Sequence, residues 1–106
     1  MKITQVDQNI LFPGPKHPYL SPGNYVVDLP EKGLVAFYIS GTRLSIGIAG
    51  SDCNVIFMGN KLILRHISFL KKDQIIMEFK TSIYTYNVFA KFHDDFDAKL
   101  ISIIRK

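Results

Sequence analysis

The stretch 55-VIFMGNKLIL-64 decides the fold, because it joins two apolar runs of four residues through the dipeptide Gly59-Asn60. A two-residue Gly-Asn connection accepts the positive backbone angles that a tight β-hairpin needs. The sequence therefore predicts a hairpin in which Phe57 faces Leu62. Both arms are rich in residues typical of strands, so the stretch indicates a β-rich protein.

Apolar and polar residues alternate with a period of two over most of the chain. This pattern predicts strands with one face in a core and one face toward solvent. The segments 34–39 and 55–58 are apolar on both faces, which indicates central strands of a sheet. The predicted inward-facing residues are Tyr25, Val27, Leu29, Leu44, Ile46, Ile48, Ile75, Met77, Phe79, Tyr84, Tyr86, Val88, Ala90 and Phe92.

Residues typical of turns separate these segments at 31–33, 40–42, 71–73 and 81–82. Turn signals at intervals of about eight to twelve residues are typical of antiparallel sandwiches and small barrels. A chain of 106 residues has the common size of one domain. The sequence thus predicts a single domain over residues 1–106, an antiparallel sandwich or barrel of about seven to eight strands.

The C-terminal segment 94–106 fits two structures. Asp94 or Asp95 fits a helix cap, and Phe96, Leu100 and Ile104 have helical spacing. The isoleucine-rich residues 99–106 equally fit a last strand that pairs with 86–92. The fold class is therefore all-β, or β-rich with one short C-terminal helix.

A proline-rich stretch, 9-NILFPGPKHPYLSPGNY-25, holds four of the five prolines of the chain. Residues 7–23 have no periodicity and predict a long loop, and residues that precede proline are restricted to extended conformations. Such a stiff loop suits either a binding loop or a structural lid. The predicted partner-binding residues are Phe12, Lys16, His17 and Tyr19, with the basic doublet Lys71-Lys72.

Composition restricts the class of protein. The chain is 47% hydrophobic with a net charge of +4, which excludes a disordered chain and gives little support to a strongly basic nucleic-acid surface. No apolar run is long enough to span a bilayer, and residues 1–9 lack the apolar core of a secretory signal. The single Cys53 also predicts a cytoplasmic protein, because small secreted domains usually carry paired cysteines.

Candidate catalytic and metal-binding residues are few. His17, His66 and His93 are far apart in sequence, and His66 fits the polar face of a strand. The segment 93-HDDFD-97 offers oxygen and nitrogen ligands but lacks the spacing and the glycine of a calcium loop, so we expect it to be structural. No nucleophile elbow, P-loop, dinucleotide turn or zinc-protease motif is present. The sequence predicts no cofactor and no metal.

Three functional hypotheses follow. The first is a small cytoplasmic protein-binding module, an inhibitor or immunity-type protein that occupies the active surface of a partner, for example a toxin encoded by a neighbouring gene. The alternative is a small barrel that binds single-stranded nucleic acid through Tyr84, Tyr86, Arg65, Lys80 and Lys91. The second alternative is an enzyme that uses a histidine together with residues 93–97.

Overall fold

The computed structural model describes residues 2–5, 10–13, 22–29, 33–47 and 53–106. These residues form ten strands and no helix. The strands are β1 (Lys2–Gln5), β2 (Ile10–Pro13), β3 (Gly23–Leu29), β4 (Gly33–Ser40), β5 (Arg43–Ile46), β6 (Cys53–Ile56), β7 (Ile63–Phe69), β8 (Gln74–Lys80), β9 (Thr85–Asp94) and β10 (Asp97–Arg105).

The strands form two antiparallel sheets that pack as a sandwich. Sheet A has the order β2-β1-β3-β4-β5-β6, and sheet B has the order β10-β9-β8-β7. The predicted all-β class and antiparallel sandwich are thus confirmed. Within the described ranges, no helix has the length and apolar character needed to cross a membrane.

The core lies between the two sheets, and alternation along each strand supplies it. Each inward residue predicted on β3 and β8 is buried, and so are Leu44, Ile46, Val88 and Ala90. Phe79 of sheet B contacts Phe37 of sheet A, with ring centroids 6.3 Å apart, and Phe57, with centroids 5.9 Å apart. Aromatic rings therefore join the two sheets across the core. The predicted inward residue Ile48 lies outside the described residues.

The predicted Gly59-Asn60 hairpin is wrong. β6 belongs to sheet A and β7 to sheet B, so residues 57–62 form an arch that crosses from one sheet to the other. Phe57 and Leu62 are both buried in the core rather than paired side by side. The arch turns at two residues with positive φ, Gly59 (112°) and Lys61 (54°).

The prediction of a central strand over 55–58 is also wrong. β6 pairs with β5 and ends sheet A in the described part of the chain. Its outward side chains are exposed. The prediction for 34–39 is confirmed, because β4 lies between β3 and β5. The predicted turns at 40–42, 71–73 and 81–82 connect consecutive strands.

The C-terminal segment is a strand, and the helix alternative is wrong. β10 pairs with β9 through a tight turn at Asp95-Phe96. Asp95 does not cap a helix, because its carboxylate accepts a hydrogen bond from the Leu34 N–H at 3.1 Å. The Phe96 N–H donates to the Leu34 carbonyl at 2.7 Å. These two bonds attach the turn to β4, in the other sheet.

The predicted loop over 7–23 contains a strand. Residues Ile10–Pro13 form β2, which pairs with β1 so that Phe12 lies opposite Ile3. The loop prediction is therefore wrong for this part. Residues 14–21, which include Lys16, His17 and Tyr19, lie outside the described residues.

Candidate functional site

The arch and its neighbours form one end of the sandwich, which we call the arch end. It comprises the arch (57–62), the turn at 41–42, the turn at 81–84 and the last residues of β10. The Thr81 hydroxyl donates to the Met58 carbonyl at 2.6 Å. Asn60 and Ser82 are joined by two further hydrogen bonds of 2.9 Å. The arch is thus fixed to the turn at 81–84.

Large apolar side chains lie exposed on the arch end. The exposed fractions are 69% for Ile56, 56% for Met58 and 59% for Ile83. Ile56 and Met58 flank the buried Phe57, so local alternation directs both of them outward. Exposed apolar side chains that cluster are a mark of interaction surfaces.

Arg105 completes this surface. Its guanidinium carbon lies 4.2 Å from the centroid of the Tyr84 ring, a cation–π contact. Its Nη1 lies 3.7 Å from the Met58 sulfur. Tyr84 packs edge-to-face on Tyr86, whose hydroxyl accepts a hydrogen bond from the Met58 N–H at 3.0 Å. We call this surface the arch patch, and its members are Ile56, Met58, Ile83, Tyr84 and Arg105.

The acidic and basic side chains of the described residues are distributed differently along the sandwich, because basic side chains lie at both ends and the aspartates lie at one. Lys80 and Lys106 flank Thr85 in neighbouring strands at the arch end, Arg43 lies opposite Ile56, and Lys61 lies on the arch. The described acidic side chains lie elsewhere. Asp28, Asp73, Asp94, Asp95 and Asp97 lie toward the opposite end, which carries the turns at 70–73 and 95–96, and Glu78 pairs with Arg65 within sheet B. The arch end is therefore positively charged.

The predicted partner-binding residues do not lie on the arch patch where the structure describes them. Lys71 and Lys72 are exposed in the turn between β7 and β8, at the opposite end of sheet B. Phe12 lies on β2 at the edge of sheet A. Lys16, His17 and Tyr19 are outside the described residues. The role of this set in binding stays a prediction.

The structure does not bring the predicted nucleic-acid residues onto one open surface. Tyr86 is only 6% exposed and packs on Phe57 with ring centroids 4.4 Å apart, so it cannot stack on a base in this conformation. Arg65 pairs with Glu78 at 3.4 Å, and Lys91 pairs with Asp73 at 3.7 Å. Tyr84, Tyr86 and Lys80 lie at the arch end, and Tyr86 is buried there.

The histidines and residues 93–97 occupy separate places. His66 is exposed on β7, as predicted, and its Nε2 lies 2.9 Å from the Ser68 hydroxyl. His93 is exposed near the end of β9. The described residues contain no group of three histidine, cysteine or acidic side chains arranged to hold a metal ion. Asp95 has a structural contact, with Leu34.

Sequence reasoning missed Met58, Ile83 and Arg105. The hairpin prediction placed Met58 in a paired strand, and the helix alternative gave Arg105 no neighbour in space. One indication was available for Met58, because strand alternation places Ile56 and Met58 on the face opposite Phe57. No local sequence pattern indicates that Met58 and Arg105 are in contact.

Replacing Thr81 by valine is expected to lower the free energy of unfolding by about 2 kcal/mol, because the Met58 carbonyl loses its donor. The Thr81 hydroxyl also accepts from the N–H groups of Ile83 and Tyr84 at 3.4 and 3.3 Å. Urea denaturation measures the loss. The control is Thr81→Ser, which keeps the hydroxyl and should cost less than about 1 kcal/mol. Equal losses in the two variants would show that the hydroxyl does not stabilise the arch.

Comparison with known proteins identified no relative of this chain. No protein-family model, no curated protein and no solved structure matches this chain. The functional argument therefore depends on the site itself.

Proposed function

We propose that the protein is a protein-binding module of the inhibitor or immunity type, which neutralises a partner protein by occupying its active surface. The observation that supports this proposal most is the arch patch, where an arginine held over a tyrosine adjoins exposed methionine and isoleucine side chains. Tyrosine, arginine and methionine are enriched in protein interfaces, and the first two are frequent hot-spot residues.

The way in which the patch is held also favours binding. Met58 is fixed through both its backbone groups, by Tyr86 and by Thr81. Arg105 rests against Tyr84 and Met58. Side chains that are already positioned lose less conformational entropy when a partner binds. A rigid surface of this kind can block a partner without any chemistry of its own.

The positive charge of the arch end specifies the partner further. Complementary charge raises association rates and disfavours partners of like charge. The surface contacted should therefore be neutral or acidic, which does not fit the cationic cleft of a nuclease. The proposed partner is a toxin encoded by a neighbouring gene, and the proposed location is the cytoplasm, where a newly made toxin would be neutralised.

The test uses the purified product of the neighbouring gene and isothermal titration calorimetry. The double substitution Met58→Ala, Ile83→Ala should weaken binding by more than about 2 kcal/mol, roughly 30-fold in the dissociation constant. Wild-type protein should also abolish the activity of the partner at equal molar amounts.

A matched control is Leu70→Ala, which truncates another exposed apolar side chain, 51% exposed, at the opposite end of the sandwich. Its dissociation constant should equal that of the wild type. The triple substitution Lys16→Ala, His17→Ala, Tyr19→Ala tests the proline-rich stretch in the same assay. If the arch variant binds as tightly as the wild type while the triple variant does not, the patch is not the contact.

Nucleic-acid binding is the second candidate, and the basic side chains around Tyr84 favour it. Lys80, Arg105 and Lys106 could contact phosphates at the arch end. Binding of this kind weakens steeply as salt rises. Titration with oligo(dT) and oligo(U) at several salt concentrations tests it, and tight binding at physiological salt would replace the protein-binding proposal.

A further inference from the structure

We propose that the arch patch recognises an acidic side chain of its partner, whose carboxylate binds the guanidinium of Arg105 while a neighbouring apolar side chain packs on Met58 and Ile83. This inference rests on the proposed protein-binding function and adds the chemistry of the partner. The occupant is an exposed peptide segment in which glutamate or aspartate adjoins a large aliphatic residue.

The guanidinium of Arg105 is held in position, and no acidic side chain in the described part of the chain pairs with it. It contacts the Tyr84 ring, whose centroid lies 4.2 Å from the guanidinium carbon, and the Met58 sulfur, which is a weak acceptor. A guanidinium has five N–H donors, so donors remain for a bidentate carboxylate. Arginine is suited to such planar, bidentate recognition.

The surroundings favour an anion at this position. Lys106 directly follows Arg105 in the chain, and Lys80 lies opposite Thr85 at the same end of sheet B. The described aspartates lie toward the opposite end, and Glu78 is paired with Arg65. A carboxylate that binds Arg105 would therefore meet a positive field, and no side-chain carboxylate of the described residues already occupies that guanidinium. Exclusion of water by Met58 would strengthen the ion pair.

The apolar neighbours distinguish a carboxylate of a protein from a phosphate of a nucleic acid. Met58, which contacts Arg105, and Ile83, which precedes Tyr84 in the turn, are both more than half exposed, and aliphatic side chains are their natural complement. A base would have to stack on Tyr84, and that ring already carries Arg105 at 4.2 Å from its centroid and packs edge-to-face on Tyr86.

Two synthetic peptides test the inference without a known partner. The probe is acetyl-Leu-Glu-Leu-amide, and its isosteric control is acetyl-Leu-Gln-Leu-amide. Both are titrated into labelled protein while NMR follows the methyl group of Met58 and the Nε–Hε signal of Arg105. The glutamate peptide should shift both signals and bind roughly tenfold more tightly than the glutamine peptide, because a charge-assisted bidentate pair is stronger than a neutral hydrogen bond.

The variant Arg105→Lys keeps the positive charge but loses the planar N–H donors that bind a carboxylate in a bidentate way. It should reduce binding of the glutamate peptide to the level of the glutamine peptide, with an unchanged far-ultraviolet circular dichroism spectrum. Equal binding of the two peptides by the wild type would overturn the inference, and so would shifts confined to another surface or no shift at all. Displacement of the glutamate peptide by a slight excess of oligo(dT) would also overturn it, in favour of a nucleic-acid ligand.

Different experimental outcomes would contradict the proposed function and the inference about the carboxylate. The proposed function fails if the partner binds the Met58→Ala, Ile83→Ala variant as tightly as the wild type. The inference alone fails if that double variant loses partner binding while Arg105→Lys retains it. In that case the partner contacts the apolar members of the patch but supplies no carboxylate.

Discussion

Replacing Phe79 by alanine is expected to lower the free energy of unfolding by about 4 kcal/mol, the largest loss among the substitutions considered. Phe79 is fully buried and contacts Phe37 of the opposite sheet and Phe57 of the arch. Its removal leaves a cavity at the place where the sheets meet. Guanidinium denaturation should show a lower midpoint with an unchanged slope.

Phe89→Ala is the matched control for this prediction. Phe89 lies on β9, the neighbour of β8, but on the outer face of sheet B, where it is partly exposed. Its truncation should cost about 2 kcal/mol, less than that of Phe79, because Phe89 is partly exposed on the outer face and its loss leaves no enclosed cavity between the sheets. Similar losses for the two phenylalanines would mean that the core does not lie between the sheets.

Replacing Gly59 by alanine is expected to lower the free energy of unfolding by about 3 kcal/mol, because backbone strain and close packing act together. Gly59 has a φ of +112°, and an added Cβ would lie 2.5 Å from the Thr81 hydroxyl oxygen and 2.9 Å from the Thr81 Cβ. Relief would require the arch to separate from the turn at 81–84. Thermal and chemical denaturation both measure the effect.

Gly41→Ala separates the two causes. Gly41 also has a positive φ, +63°, but an added Cβ would meet nothing within 4 Å. Its substitution should cost about 1 kcal/mol, the strain of a left-handed conformation without a clash. If Gly59→Ala costs no more than Gly41→Ala, the arch does not pack closely on Thr81.

The need for glycine at position 59 could be predicted from the sequence, but the reason could not. The pattern of two apolar runs around Gly59-Asn60 is the same for a hairpin and for an arch. In a hairpin the two runs pair side by side, and in the arch Phe57 and Leu62 both enter the core between the sheets. The arch is fixed by Thr81, which is 23 residues from Met58 along the chain. Local patterning carries no information about that contact.

Inward-facing residues were predictable because alternation is a property of each strand alone. Tyr25, Val27, Ile75, Met77 and Val88 are all buried as expected. The C-terminal strand was harder to recognise because its pairing with β9 shifts between Leu100 and Ser102. A bulge adds one residue to the period of two, and the resulting spacing resembles that of a helix.

The candidate site could be predicted only in part. Tyr84 and Lys80 were named from the sequence, since they lie on the strand and turn that the pattern indicated. Arg105 and Met58 are 47 residues apart and meet because β10 runs back to the arch. Their contact depends on the sandwich topology, which alternation does not specify.

The arch also has a consequence for how the chain folds. All strands of sheet A precede it in the chain and all strands of sheet B follow it, so it is the single covalent crossing between the sheets among the described strands. Most strands pair with their sequence neighbours, which keeps the contact order within each sheet low for a β protein. We therefore expect each half of the chain to form its meander early. The slow step is then the docking of the two preformed meanders, hinged at residues 57–62, and the short arch keeps the entropy of that closure small.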